Sequence, residues 1–79
     1  MTNTNLLLEY IEHSGLKRNY IARMLGISTY ALAQKIHNIR EFKASEIYTF
    51  CRVLRITSSD VMEAIFFAED VDSKSPNSE

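Results

Sequence analysis

The side chains able to do acid–base, nucleophilic or metal chemistry are few and scattered in this chain. His13 and His37 stand 24 positions apart, with no cluster of ligands at zinc-site spacing around them. Cys51 is the single cysteine, so an internal disulfide is excluded, and its place in an apolar stripe makes it a core residue. Ser-His-Asp and Cys-His arrangements have no support beyond the presence of the residue types, and there is no P-loop or dinucleotide fingerprint. An enzyme is therefore not expected, nor a cofactor, metal or small-molecule ligand. The residues with useful spacing do a different kind of chemistry. Tyr30, Gln34 and His37 recur at i, i+4 and i+7, with Thr29 and Asn38 at either end, and Arg18, Arg40 and Lys43 are cations nearby in sequence. Their chemistry is donor–acceptor matching and anion pairing, which needs a rigid frame to present it.

Bulk properties limit that frame. The chain has 79 residues, 46% hydrophobic and 24% charged, which suits one small domain whose core is modest and whose stability is marginal. No apolar run is long enough for a membrane span, and the first residues have no signal-peptide character, so the expected compartment is the cytoplasm. The net charge of −1 conceals segregation. Residues 1–12 carry a net −2, residues 13–55 a net +6 and residues 56–79 a net −5. Two readings stand for the basic middle: a block that meets phosphates, or ordinary drift of charge along a chain.

Helical spacing recurs throughout, and no stretch alternates at period two. Leu7, Leu8 and Ile11 mark a first helix, capped by Thr4 or Asn5 and ending near Ser14, with Gly15 left-handed and Leu16 folding back. Ile21, Ala22 and Leu25 mark a second helix, 18–25, closed by Gly26. Ser28 caps a third from about Thr29 to His37 or Asn38. Phe42 opens a new apolar segment, and Ile47, Phe50, Cys51 and Leu54 define a fourth helix that ends by Ile56. Thr57 or Ser58 caps a fifth, with Asp60 in its first turn and Val61, Met62, Ile65 and Phe66 as its buried stripe. Residues 69–79, polar and acidic, read as a disordered tail after a domain of residues 1–68. The fold class is all-α, and its core collects Leu7, Ile11, Leu16, Ile21, Ala22, Leu25, Ile27, Leu32, Ile36, Phe42, Ile47, Phe50, Leu54, Val61 and Ile65.

Only three residues, Gly-Ile-Ser, separate the second and third helices, so they must cross steeply. Gly26 supplies the positive φ of the corner and Ala22 permits close approach. With Leu32 and Ile36 facing inward, Tyr30, Gln34 and His37 fall on the opposite side of the third helix. That side suits the major groove of DNA. Gln34 pairs bidentately with adenine, Thr29 serves as donor, acceptor or methyl contact, and Tyr30 offers ring and hydroxyl. The plain alternative is an ordinary solvent-facing stripe.

The stretch "GLKRNYIARMLGIST", followed by "LAQKI", resembles the Cro/repressor-type (Xre-like) helix-turn-helix family of phages and mobile genetic elements. The resemblance covers about residues 6–67 and rests most on Ala22, Gly26 and the apolar Ile21, Leu25, Ile27 and Leu32. It implies a five-helix lambda-repressor-like DNA-binding domain, a transcriptional regulator whose partner is double-stranded DNA. By position it implies base readout by Thr29, Tyr30 and Gln34. It also implies phosphate or backbone contacts from Arg18, Ser28, Lys35, His37, Asn38, Arg40 and Lys43. Two departures stand out: Lys35 takes a place usually apolar, with Ile36 supplying the core contact instead, and Lys17 stands where a capping Ser or Asn is usual. A homodimer, standing alone or formed on DNA, is the expected assembly, with Ile65, Phe66 and Phe67 as its contact. Either one phenylalanine completes the core and the other is exposed, or both pack against the first helix. Arg52 and Arg55 read as a solvated face. An antirepressor or adaptor that binds protein rather than DNA, or an antitoxin, is the rival reading of the same fold.

Overall fold

The computed structural model describes residues 1–69, which form five helices with no strand among them. α1 is Thr4–Ser14, α2 Arg18–Leu25, α3 Thr29–Ile36, α4 Ala44–Leu54 and α5 Ser59–Phe66. The acidic tail expected over 69–79 lies outside the described residues except for Glu69. None of the helices is long and apolar enough to cross a membrane.

Side chains set the starts. Asn3, rather than Thr4 or Asn5, caps α1: its Oδ1 accepts the Leu6 N–H at 3.1 Å. Ser28 accepts from Ala31 N–H at 3.0 Å and Ser58 from Val61 N–H at 3.3 Å. Lys17 has no side-chain acceptor to offer, and α2 begins without a cap bond.

Left-handed residues set four of the ends: Gly15 at φ 73°, Gly26 at 77°, Asn38 at 65° and Arg55 at 60°. At the corner after α2, Ile27 N–H reaches Ala22 O at 3.0 Å and Gly26 N–H reaches Arg23 O at 3.1 Å. That pair of bonds satisfies two terminal carbonyls and turns the chain at once into Ser28 and α3. Asn38 repeats the device after α3, with Ile39 N–H on Gln34 O at 2.8 Å and Asn38 N–H on Lys35 O at 3.3 Å. The helix therefore stops at Ile36, short of the His37 or Asn38 expected from periodicity.

Each helix gives two residues to one buried core: Leu7 and Ile11, Ile21 and Ala22, Leu32 and Ile36, Ile47 and Phe50, Ile65 and Phe66. Leu16, Leu25, Ile27, Phe42, Leu54 and Val61, expected in the core, pack on its margin half-exposed. Phe42 nevertheless joins Phe50 and Phe66 in an aromatic cluster with ring centroids 5.4–5.6 Å apart. Cys51 is half-buried, and that burial pushes its thiol pKa up. α2 packs against both α3 and α4, while α1 packs against α4 and α5.

The proposed dimer contact needs correction. Ile65 and Phe66 are buried in the chain's own core, because Phe66 completes the aromatic cluster, and only Phe67 is exposed. The first three residues also have a structural task. Asn3 N–H donates to Ile65 O at 2.6 Å, Ala68 N–H to Met1 O at 2.9 Å, and the Met1 amino group to Ala68 O at 3.1 Å. They tie the end of α5 to the N-terminal segment, which through Thr2 and Thr4 also holds the end of α3.

Candidate functional site

α3 is held from its inward side and its C-terminal end. Leu32 and Ile36 have no solvent exposure. Thr4 Oγ1 donates to Ile36 O at 2.5 Å, occupying one of the terminal carbonyls. Asn38, directly beyond, pairs with the backbone of Thr2 through both ends of its amide: Oδ1 accepts from Thr2 N–H and Nδ2 donates to Thr2 O, each at 2.8 Å. Thr2 is buried, so these bonds satisfy backbone groups that water does not reach.

Asn38 is exposed, and the expected backbone contact gives way to a structural task visible in its bonds to Thr2. Its amide is committed to Thr2, and its left-handed φ fixes the turn.

Lys35 requires a larger correction. It was expected to reach outward to a phosphate, yet it is 3% exposed and its Nζ donates to Glu46 Oε1 at 2.6 Å. The reason is register. Lys35 lies next to Ile36 on the side of α3 that faces the start of α4, so its stem fills the place of an apolar residue and its ammonium meets Glu46. The same Oε1 accepts the Lys43 N–H at 2.9 Å, the capping-box bond of α4. Burial pushes the Glu46 carboxyl upward, but the hydrogen bonds from Lys35 and Lys43 and their positive charges outweigh it, and its pKa lies below the ordinary value. The pair is neutral as a unit and adds nothing to the surface charge.

The outward side is open. Tyr30 is 72% exposed and Thr29 is also exposed, both in the first turn. Gln34, one turn on, is half-buried, and its carbonyl takes the Ile39 N–H and, at 3.3 Å, the Arg40 N–H. Among the described residues no side-chain hydrogen bond involves Thr29, Tyr30 or Gln34. Arg18, His37, Arg40 and Lys43 are exposed. The Arg40 bond to Gln34 O fixes the base of its side chain at the C-terminal end of α3, and the Glu46 bond fixes Lys43 at the start of α4. Ser28 accepts from Ala31 N–H but keeps its own hydroxyl proton to donate.

Glu46, Thr2 and Asn3 escaped the sequence reading. Glu46 was accessible to it, since a glutamate three residues after a helix start and before an apolar run is half of a capping box. Thr2 carried no local signal, because its partner is 36 positions away. Among the described residues no group of three or more His, Cys, Asp or Glu is placed to hold a metal ion. Comparison with protein families, with curated proteins and with solved structures finds no match to the chain.

Proposed function

We propose that this chain is a small sequence-specific DNA-binding protein, a transcriptional regulator of the Cro/repressor type, with α2 and α3 as its helix-turn-helix. α3 enters the major groove and reads bases through Thr29, Tyr30 and Gln34. The observation that carries this reading is the division of α3: Leu32, Lys35 and Ile36 are buried, while Thr29 and the 72%-exposed Tyr30 are free.

Arg18 at the uncapped start of α2, with Ser28, His37, Arg40 and Lys43, supplies phosphate contacts. Lys35 and Asn38 take no part. One module of this size binds weakly, so a pair of chains sits on half-sites one helical turn apart, about 34 Å. Of the three residues first considered for that contact only Phe67 is exposed, which favours pairing on DNA over a permanent dimer.

The test is fluorescence anisotropy with mixed-sequence DNA at low salt, then with fragments selected from a random pool. Gln34→Ala should lose about 1–3 kcal/mol on the selected site and relax preference at one base pair. Arg18→Ala, Arg40→Ala or Lys43→Ala should weaken binding to every sequence and each lower the salt slope by about 1. No binding at low salt, or equal losses for both classes of variant on selected and random DNA, refutes the assignment.

A further inference from the structure

α2 and α4 enclose a surface groove of about 630 Å³, lined by Leu16, Tyr20, Met24, Val53, Arg52 and Arg55 among others. A volume of this order matches sites that take a small ligand or the side chains of a docked peptide. Two of its lining side chains, both with large apolar parts, lie open to solvent: Tyr20 is 40% exposed and Met24 47%. They sit one turn apart on α2, off the stripe of Ile21 and Ala22 that packs into the core, so folding does not require them to be apolar. Methionine, tyrosine and arginine together are the composition of adaptable protein-binding surfaces.

The rim is held in place. The Arg52 guanidinium lies 5.7 Å from the centre of the Tyr48 ring, a cation–π contact one helical turn long. Arg55 is the more telling residue. Of the four left-handed positions that end helices, two are glycine and one is asparagine; the fourth is Arg55 at φ 60°. A side chain with a Cβ is strained there, where glycine is not. Folding alone favours glycine at this position, yet it holds a cation at the edge of the groove. Among the described residues no carboxylate lines the groove, so within them neither rim charge is opposed there.

We propose that this groove is a docking site for a partner protein, which inserts a short acidic segment with a bulky apolar side chain onto Tyr20 and Met24 and sets its carboxylates against Arg52 and Arg55. None of the lining residues is among those assigned to DNA, so the site stands independently of the DNA-binding reading.

The experiment selects short random peptides displayed on phage against the full chain and titrates the best binders into isotopically labelled protein. The selected sequences should be rich in Asp and Glu beside an aromatic or aliphatic residue, and should shift the signals of Tyr20, Met24 and Val53. Arg55→Gly should weaken them about tenfold while its melting temperature holds or rises, which separates lost binding from lost folding. Arg52→Ala should weaken them similarly. The proposal is overturned if no peptide is selected, if the winners are basic or neutral, or if they bind Arg55→Gly unchanged. It is also overturned if Arg55→Gly weakens mixed-sequence DNA as much as peptide, which would make the groove a nucleic-acid surface. Groove signals that move when residues 70–79 are deleted, or a wild-type dimer that Met24→Glu dissociates, would assign the groove to the chain itself and overturn it equally.

Discussion

Replacing Lys35 by methionine keeps the length and volume of the stem but removes the ammonium that faces Glu46 at 2.6 Å. Glu46, 7% exposed, then keeps only the Lys43 N–H at 2.9 Å as a partner for its charge among the described residues. Breaking a buried pair from one side typically costs about 3–5 kcal/mol, because a charge remains in a medium that solvates it poorly. A domain of this length has roughly 4–10 kcal/mol of stability in total, so Lys35→Met should remove about half. At about 4–8 °C per kcal/mol, the melting temperature falls by about 12–40 °C. The double variant Lys35→Met/Glu46→Gln behaves differently. A neutral amide oxygen still accepts the Lys43 N–H, no charge is left buried, and stability returns to within about 1–2 kcal/mol of wild type. Urea and thermal unfolding followed by far-ultraviolet circular dichroism measures all three chains. The reasoning is refuted if Lys35→Met is as stable as wild type, or if the second substitution restores nothing.

Acid should weaken the same link. The folded-state pKa of Glu46 lies below its ordinary value of 4.5, so its contribution is full above that value and disappears as pH falls through the lower, folded-state pKa. The urea midpoint of wild type should therefore drop more steeply below pH 4.5 than that of Lys35→Met/Glu46→Gln; parallel curves would deny Glu46 this role. Asn38→Gly keeps the left-handed turn but strips the pairing with Thr2, for a loss of about 1–3 kcal/mol. Asn38→Ala adds the left-handed penalty, about 1 kcal/mol more, and equal midpoints for the two variants would contradict the φ of 65°. Lys17→Ser gives α2 the cap it lacks and should raise stability by about 1 kcal/mol, read as a higher urea midpoint; an unchanged midpoint would mean the terminal amides of α2 are already satisfied.

Much of this fold is legible in the sequence because its signals are local. Period 3.6 in Ile47, Phe50 and Leu54, glycine at 15 and 26, and serine at 28 and 58 each act within one helical turn. The five helices and the outward face of α3 follow from those signals alone. What stayed hidden depends on residues far apart in the chain. Lys35 reads as a surface cation until Glu46, 11 positions on, is folded against it, and Asn38 reads as a surface amide until Thr2 arrives from 36 positions away. Ile65 and Phe66 lie on the buried stripe that periodicity marks on α5, and both are buried; what periodicity does not tell is whether Phe67, just beyond them, is covered. Packing decides it: the Phe66 ring packs against both Phe42 and Phe50, which also touch each other, and Phe67 is left in solvent.

The two misread residues have a common physical effect. Lys35 and Asn38 both looked like outward contacts, and both fasten α3 to the rest of the chain, one to the start of α4 and the other to the N-terminal segment. Together with Leu32, Ile36 and the Thr4 bond to Ile36 O, they fix the inward side and the C-terminal end of an eight-residue helix. An isolated helix of that length is unstable in water, so its shape is imposed from outside. A helix held this way loses little further freedom when its free side meets a partner, and binding is stronger for it. On the proposed DNA-binding function, the same substitutions that loosen Lys35 or Asn38 should therefore weaken DNA binding at temperatures where the chain is still folded, without either residue touching DNA. Unchanged affinity in the anisotropy assay would refute this coupling.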